Sequence, residues 1–219
     1  LGSLALRGTH RRYTAGESNG FTNIIETRTL TVDALTDQVM AVINNAIGMN
    51  LLISLDIIGA AVAEYIAAIS ERVPTLALLA RWITTEGSQK LRNGVWRKFY
   101  EEKSEAIRYY MASPNFVRNA DPNMIEAAIA ALPTNKFIAS HTGLNDHVDV
   151  SNITGDVSAT ILVATGAEDM MPQAPLPGFF GVVPDTHYIE TSTGHGTSME
   201  RPTEVIQVID LFTTQLERS

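Results

Sequence analysis

The 219 residues contain no cysteine. Disulfides, thiolate metal sites and a cysteine nucleophile are therefore excluded, and any nucleophile must be oxygen or nitrogen. Basic residues are few: 16 Lys and Arg stand against 24 Asp and Glu, a formal charge of −8. Such a surface has no net attraction for phosphate backbones or anionic lipid, so neither nucleic acid nor a membrane is expected as a partner. The one basic cluster, Arg7, His10, Arg11 and Arg12, has no series of aromatic residues to stack bases and reads as a solvated loop.

Long apolar runs are missing as well. Residues 51–53 and 57–62 are cut off by Ser54, Asp56 and Glu64, far short of the ~20 apolar residues that a membrane span needs. The chain starts Leu1-Gly2-Ser3 with no basic segment and apolar core behind it. No signal peptide is visible, and the cytoplasm is the expected compartment. The five histidines are scattered without a ligand pair at helical spacing, and no phosphate-binding glycine motif occurs. Neither a metal nor a nucleotide cofactor is expected.

What the chain does hold is 45% hydrophobic residues, enough for one sizeable core with a small lid. No 20 to 50 residue period repeats. After apolar residues 4–6, a polar run over about 8–31 reads as loop and turns. Leu35, Val39, Val42, Ile43 and Ala46 recur at three- and four-residue spacing, which predicts an amphipathic helix from Val32 closing at Gly48. Leu51-Leu52-Ile53 suits a buried strand, a second helix with small residues Gly59, Ala60, Ala61 and Ala63 follows over 57–70, and Thr75 to Leu79 repeats the buried-strand pattern. From Arg81 to Asn145 the texture becomes aromatic and charged, with helices expected over 88–110 and 123–132. Strands over 159–164 and 186–190 and a closing helix over 202–216 complete the pattern. Strands alternating with helices predict an α/β protein: a mostly parallel sheet flanked by helices, formed by residues 1–80 and 146–219, with 81–145 inserted as a helical cap.

Three strand ends can carry chemistry. Asp56 stands between the first strand and its helix, where a side chain lies beside helix amides that favour negative charge; it also suits a plain helix N-cap. Gly166-Ala167-Glu168-Asp169 places two carboxylates after the third strand, at the ligand-binding end of such a sheet or in a solvated turn. Gly194-His195-Gly196 sets an imidazole between small neighbours after the fourth strand, either as a general base or as an incidental loop residue.

Nucleophile, acid and histidine in that order after successive strands resemble the α/β-hydrolase family. The likeness is strongest in residues 159–169, similar to the family's strand and acid turn, and in Gly194-His195 followed by Glu200-Arg201-Pro202, similar to its histidine loop and last helix. Leu6-Arg7-Gly8 resembles an early loop, and the family's first strands, with one oxyanion-hole amide, would lie before Leu1. The resemblance implies Asp56 as nucleophile, Asp169 and His195 as the remaining pair, and the Ile57 N–H as oxyanion donor. It implies the branch that attacks epoxides and haloalkanes through a carboxylate, acting on a small organic ester, epoxide or halide. Trp82, Trp96, Tyr109 and Tyr110 would face the leaving group or pack the cap. Two departures stand out. Ser54 and Ile58 replace the glycines that flank the family's nucleophile turn, and Ile57 replaces the branch's tryptophan. Ser54 as nucleophile, in a shifted register, has no flanking glycine at all. A non-hydrolytic lyase, cyclase or ligand-binding protein on the same fold is the alternative, and an uncovered sheet edge would favour a homo-oligomer.

Overall fold

Apolar runs of four to seven residues, each bounded by turn-forming residues, build the centre of the molecule. The computed structural model describes residues 31–45, 48, 51–54, 57–79, 81, 84–85, 87–102, 123, 143–169, 183 and 185–218, the side chains of 88, 96, 99–102 and 199 excepted. The strands are β1 (Leu51–Ser54), β2 (Thr75–Leu79), β3 (Thr160–Gly166) and β4 (Thr186–Thr191). They form one sheet in the order β1-β2-β3-β4, with every neighbouring pair parallel. The long helices are α1 (Val32–Asn45), α2 (Ile57–Ile69) and α3 (Gly87–Glu102). One turn, α4 (Thr197–Glu200), precedes α5 (Pro202–Leu216), and a short 3-10 turn covers Thr154–Asp156.

Both faces of the sheet are covered, which is why the strands read as continuous apolar runs. Alternation sends Leu76, Leu78, Ile161 and Val163 to one face, where they pack with Leu35 and Ile43 of α1 and with Ile58, Ala61 and Ile66 of α2. Ala77, Leu79, Leu162 and Ala164 point to the other face and meet Val205, Ile209 and Phe212 of α5. The small residues of α2 are buried as expected, Ala60, Ala61 and Ala63 among them.

Helix α1 is described as far as Asn45, and Gly48 holds the left-handed φ of +83° expected of a helix-terminating glycine. Its start is set by Thr31, whose Oγ1 accepts the Ala34 N–H at 3.1 Å. Strand β3 runs on through Gly166, two residues further than its apolar run, because Gly166 pairs with Thr191 of β4. The expected helix over 88–110 is described as far as Glu102; the remainder, most of the expected helix over 123–132 and the N-terminal loop lie outside the described residues.

The two ends of the 81–145 segment meet. Thr84 bridges Asp149, the Thr85 N–H donates to the Val148 carbonyl at 2.9 Å, and the Thr85 hydroxyl donates to the Asn145 carbonyl. From α3, Asn93 Nδ2 donates to Asp146 Oδ1 at 2.9 Å and Arg97 pairs with the same carboxylate. Asp149 accepts from the Ser151 hydroxyl and N–H and from the Thr84 hydroxyl, and these bonds, the Ser151 hydroxyl foremost, hold its carboxyl below the ordinary range.

Leu76 is fully buried at the centre of the sheet, whereas Leu211 on α5 is 61% exposed. Leu76→Ala should therefore lower unfolding free energy by about 2–5 kcal/mol in urea titration, and Leu211→Ala by no more than about 0.5 kcal/mol.

Candidate active site

Parallel β3 and β4 are direct neighbours, so the loops leaving their carboxyl ends start side by side. Asp169 stands three residues beyond Gly166 and His195 four beyond Thr191. The structure brings these two residues together: His195 Nδ1 lies 2.9 Å from Asp169 Oδ2. The carboxylate is buried, its side chain 4% exposed, while the imidazole is 33% exposed. A carboxylate that only accepts would draw the imidazole proton to Nδ1 and leave Nε2 as the lone-pair nitrogen on the ring's other side. The adjacent carboxylates have parted: Glu168 is exposed, and its N–H donates to the Thr193 carbonyl at 2.9 Å.

The loops are locked by backbone contact. A Cβ on Gly166 would run into the carbonyl oxygens of Thr193 and Gly194, so only glycine allows β3 to approach the histidine loop this closely. Beneath that contact, Thr191, Thr193 and Thr197 are all buried. Thr191 Oγ1 donates to the Thr165 carbonyl at 3.2 Å and lies 2.7 Å from Thr193 Oγ1. Thr193 Oγ1 donates to Thr197 Oγ1, which in turn donates to the Gly194 carbonyl at 3.3 Å. On the loop's far side, the Gly194 N–H donates to Glu200 Oε2 at 2.9 Å. Thus Glu200, noted in the sequence as part of a family-like string, spans the histidine loop from the helical turn that follows it.

At the other candidate corner, Ser54 ends β1 and is buried, and Ile57 opens α2. Ile58, at the position of a turn glycine in the family, is also buried and packs in the core beneath α2, which is where its extra bulk goes. Asp56 itself, Trp82, Tyr109 and Tyr110 lie outside the described residues, as does the side chain of Trp96. Among the described residues no group of three or more His, Asp or Glu could hold a metal ion, and no helix is long and apolar enough to cross a membrane.

No protein-family model matches this chain, and no curated protein matches it. Solved structures do. A carboxylesterase of the ammonia-oxidizing thaumarchaeon Nitrososphaera gargenis superimposes with a TM-score of 0.78 at 14% identity, over 92% of this chain and 78% of the esterase. An esterase from Thermogutta terrifontis gives 0.70 at 20% identity, over 86% and 74%. MGS-M2, an α/β-hydrolase enzyme from a deep-sea metagenome library of the Medee basin, gives 0.72 at 15% identity, over 86% and 74%. The chain therefore has the α/β-hydrolase fold.

The Gly166 contact makes a direct prediction. Gly166→Ala must push β3 and the histidine loop apart, and overpacking of this kind costs about 1–3 kcal/mol. The expected result is a lower unfolding midpoint, together with a shifted His195 imidazole resonance by NMR. An unchanged midpoint and resonance would show that the loop yields without consequence.

Proposed function

We propose that this protein is a hydrolase of small organic electrophiles that uses Asp56 as a carboxylate nucleophile and the His195–Asp169 pair to activate water. The observation that carries the reading is the 2.9 Å contact between a buried carboxylate and a half-buried imidazole at the carboxyl ends of adjacent parallel strands. A scaffold has no use for an imidazole oriented in this way. Neighbouring structures described as esterases and as a hydrolase support hydrolysis as the reaction type.

The steps follow from the residue types. A carboxylate nucleophile such as Asp56 needs no base to attack an epoxide or haloalkane carbon: the new C–O bond gives an alkyl-enzyme ester as the C–halogen bond breaks and halide leaves, or as the epoxide C–O bond breaks and its oxygen, still on the alkyl group, takes up a proton. An activated ester would acylate the same carboxylate to a mixed anhydride. His195 Nε2 then takes a proton from water as its oxygen attacks the carbonyl carbon of the covalent intermediate, with Asp169 stabilising the imidazolium; collapse breaks the bond to the product oxygen, which leaves with the proton returned by His195 and restores the Asp56 carboxyl. The Ile57 N–H, at the start of α2, has no intrahelical acceptor and suits the oxyanion that forms there. Residues 81–145 would act as the cap, with Trp82, Trp96, Tyr109 and Tyr110 as its candidate donors to the leaving group. The second reading, a non-hydrolytic protein on the same fold, draws on Ile58, whose buried position in α2 occupies the place of a turn glycine.

A His195→Gln variant separates the two. Attack should proceed without the base, whereas hydrolysis of the intermediate should slow by about 10²–10⁴-fold. After exposure to an epoxide, a haloalkane and an activated ester, intact mass spectrometry should find a covalent adduct, and peptide mapping should place it on Asp56. Folded protein that forms no adduct with any of the three would favour the non-hydrolytic reading.

A further inference from the structure

Helix α2 carries one charged residue, Glu64, and it is fully buried. Its carboxylate pairs with the guanidinium of Arg81, Nη2 to Oε1 at 2.5 Å, and neither side chain is more than 1% exposed. A buried pair of this kind is rarely worth its desolvation, since apolar residues of similar volume usually stabilise as well or better. Its location gives it a use. Glu64 is fixed in the body of the helix that begins directly after Asp56, and Arg81 lies two residues beyond the end of β2, where the chain departs into the 81–145 segment. The return of that segment is bound to its departure through Thr84, Thr85, Asn93 and Arg97, so holding Arg81 holds both ends.

We propose that the Glu64–Arg81 pair is an anchor that holds the chain leaving β2, and through it Thr84, Thr85 and α3, against α2. Glu64 sits in a core helix and cannot follow a departing partner. Arg81, itself buried, stands on the chain that leaves β2 rather than within a packed helix, so it is the partner whose backbone can move away. When Glu64 is ionised, release of Arg81 strands a bare carboxylate in the core, and the attachment holds. When Glu64 is protonated, release strands only a neutral acid. Burial pushes the Glu64 carboxyl up to about 7, against the lowering effect of Arg81, so this exchange falls in the neutral range. Burial likewise pulls Arg81 below its ordinary value, and Glu64 opposes that shift. On the elements packed against α2, the charged side chains are Asp33 and Asp37 of α1 and Asp156 of the 3-10 turn, all exposed; β1 and β2 carry none.

Amide hydrogen exchange at pH 6 and pH 8, corrected for the intrinsic rate, tests the anchor in the whole chain. Protection of Thr85 and of the α3 amides should be about tenfold lower at pH 6, relative to the core amides of β2 and β3. In Glu64→Leu/Arg81→Met, which removes both charges and keeps the core filled, that difference should vanish. A wild type without the difference, a double variant that retains it, or a change spread evenly over the core strands would each overturn the proposal.

Discussion

Gly166 has no side chain, and the carbonyl oxygens of Thr193 and Gly194 occupy the space where one would be. This backbone contact determines how close the end of β3 comes to the loop after β4, and with it whether a carboxylate on one can reach an imidazole on the other. The buried hydroxyls of Thr191, Thr193 and Thr197 belong to the same constraint. Each must find a partner once buried, and they find one another and the Thr165 and Gly194 carbonyls. A loop satisfied internally in this way has few alternative conformations of equal energy, so His195 is held by its neighbours before its own bond to Asp169 is counted.

Most of the sheet could be read from residue patterns because both faces of each central strand are buried. Under that condition, continuous runs such as Thr75 to Leu79 have no competing helical interpretation of the right length. The closing helix was equally legible, with Pro202 at its first turn and Val205, Ile209 and Phe212 on one face. Asp169 and His195 were legible as candidates because each follows a strand in a glycine-rich turn. Their actual approach was not, since it depends on the register between β3 and β4. In the sequence, Glu64 is only an interruption in an apolar run, and Arg81 only the residue where the composition changes. Nothing in either residue's local sequence announces the other, because two elements packed in three dimensions bring them together.

The corner around β1 and α2 shows a different compromise. Glycines around a nucleophile turn serve to keep bulk away from a sharply bent backbone. Here Ile58 is bulky, yet it is almost wholly buried among core residues, so its side chain contributes to the packing of α2 rather than projecting from the site. Ser54, in the other glycine position, is buried at the end of β1. A carboxylate nucleophile tolerates this better than a hydroxyl would, because it carries its negative charge into the reaction and needs no strained approach to a base in order to be activated.

Two pH effects of opposite sign meet at Glu64. Its carboxyl has a higher pKa in the fold than in the unfolded chain, so the stability it contributes is full below its ordinary value and declines as pH rises through about 7. Globally, ionisation works against the folded state. Locally it does the reverse, because the reference for local opening is an intact core with Arg81 withdrawn, and there a bare buried carboxylate is worse still than a paired one. The same proton therefore stabilises the whole molecule while loosening one attachment within it. A structural pair selected for stability alone would have been replaced by apolar side chains. A pair that trades some global stability for control over where one segment attaches fits both its cost and its position between α2 and the chain leaving β2.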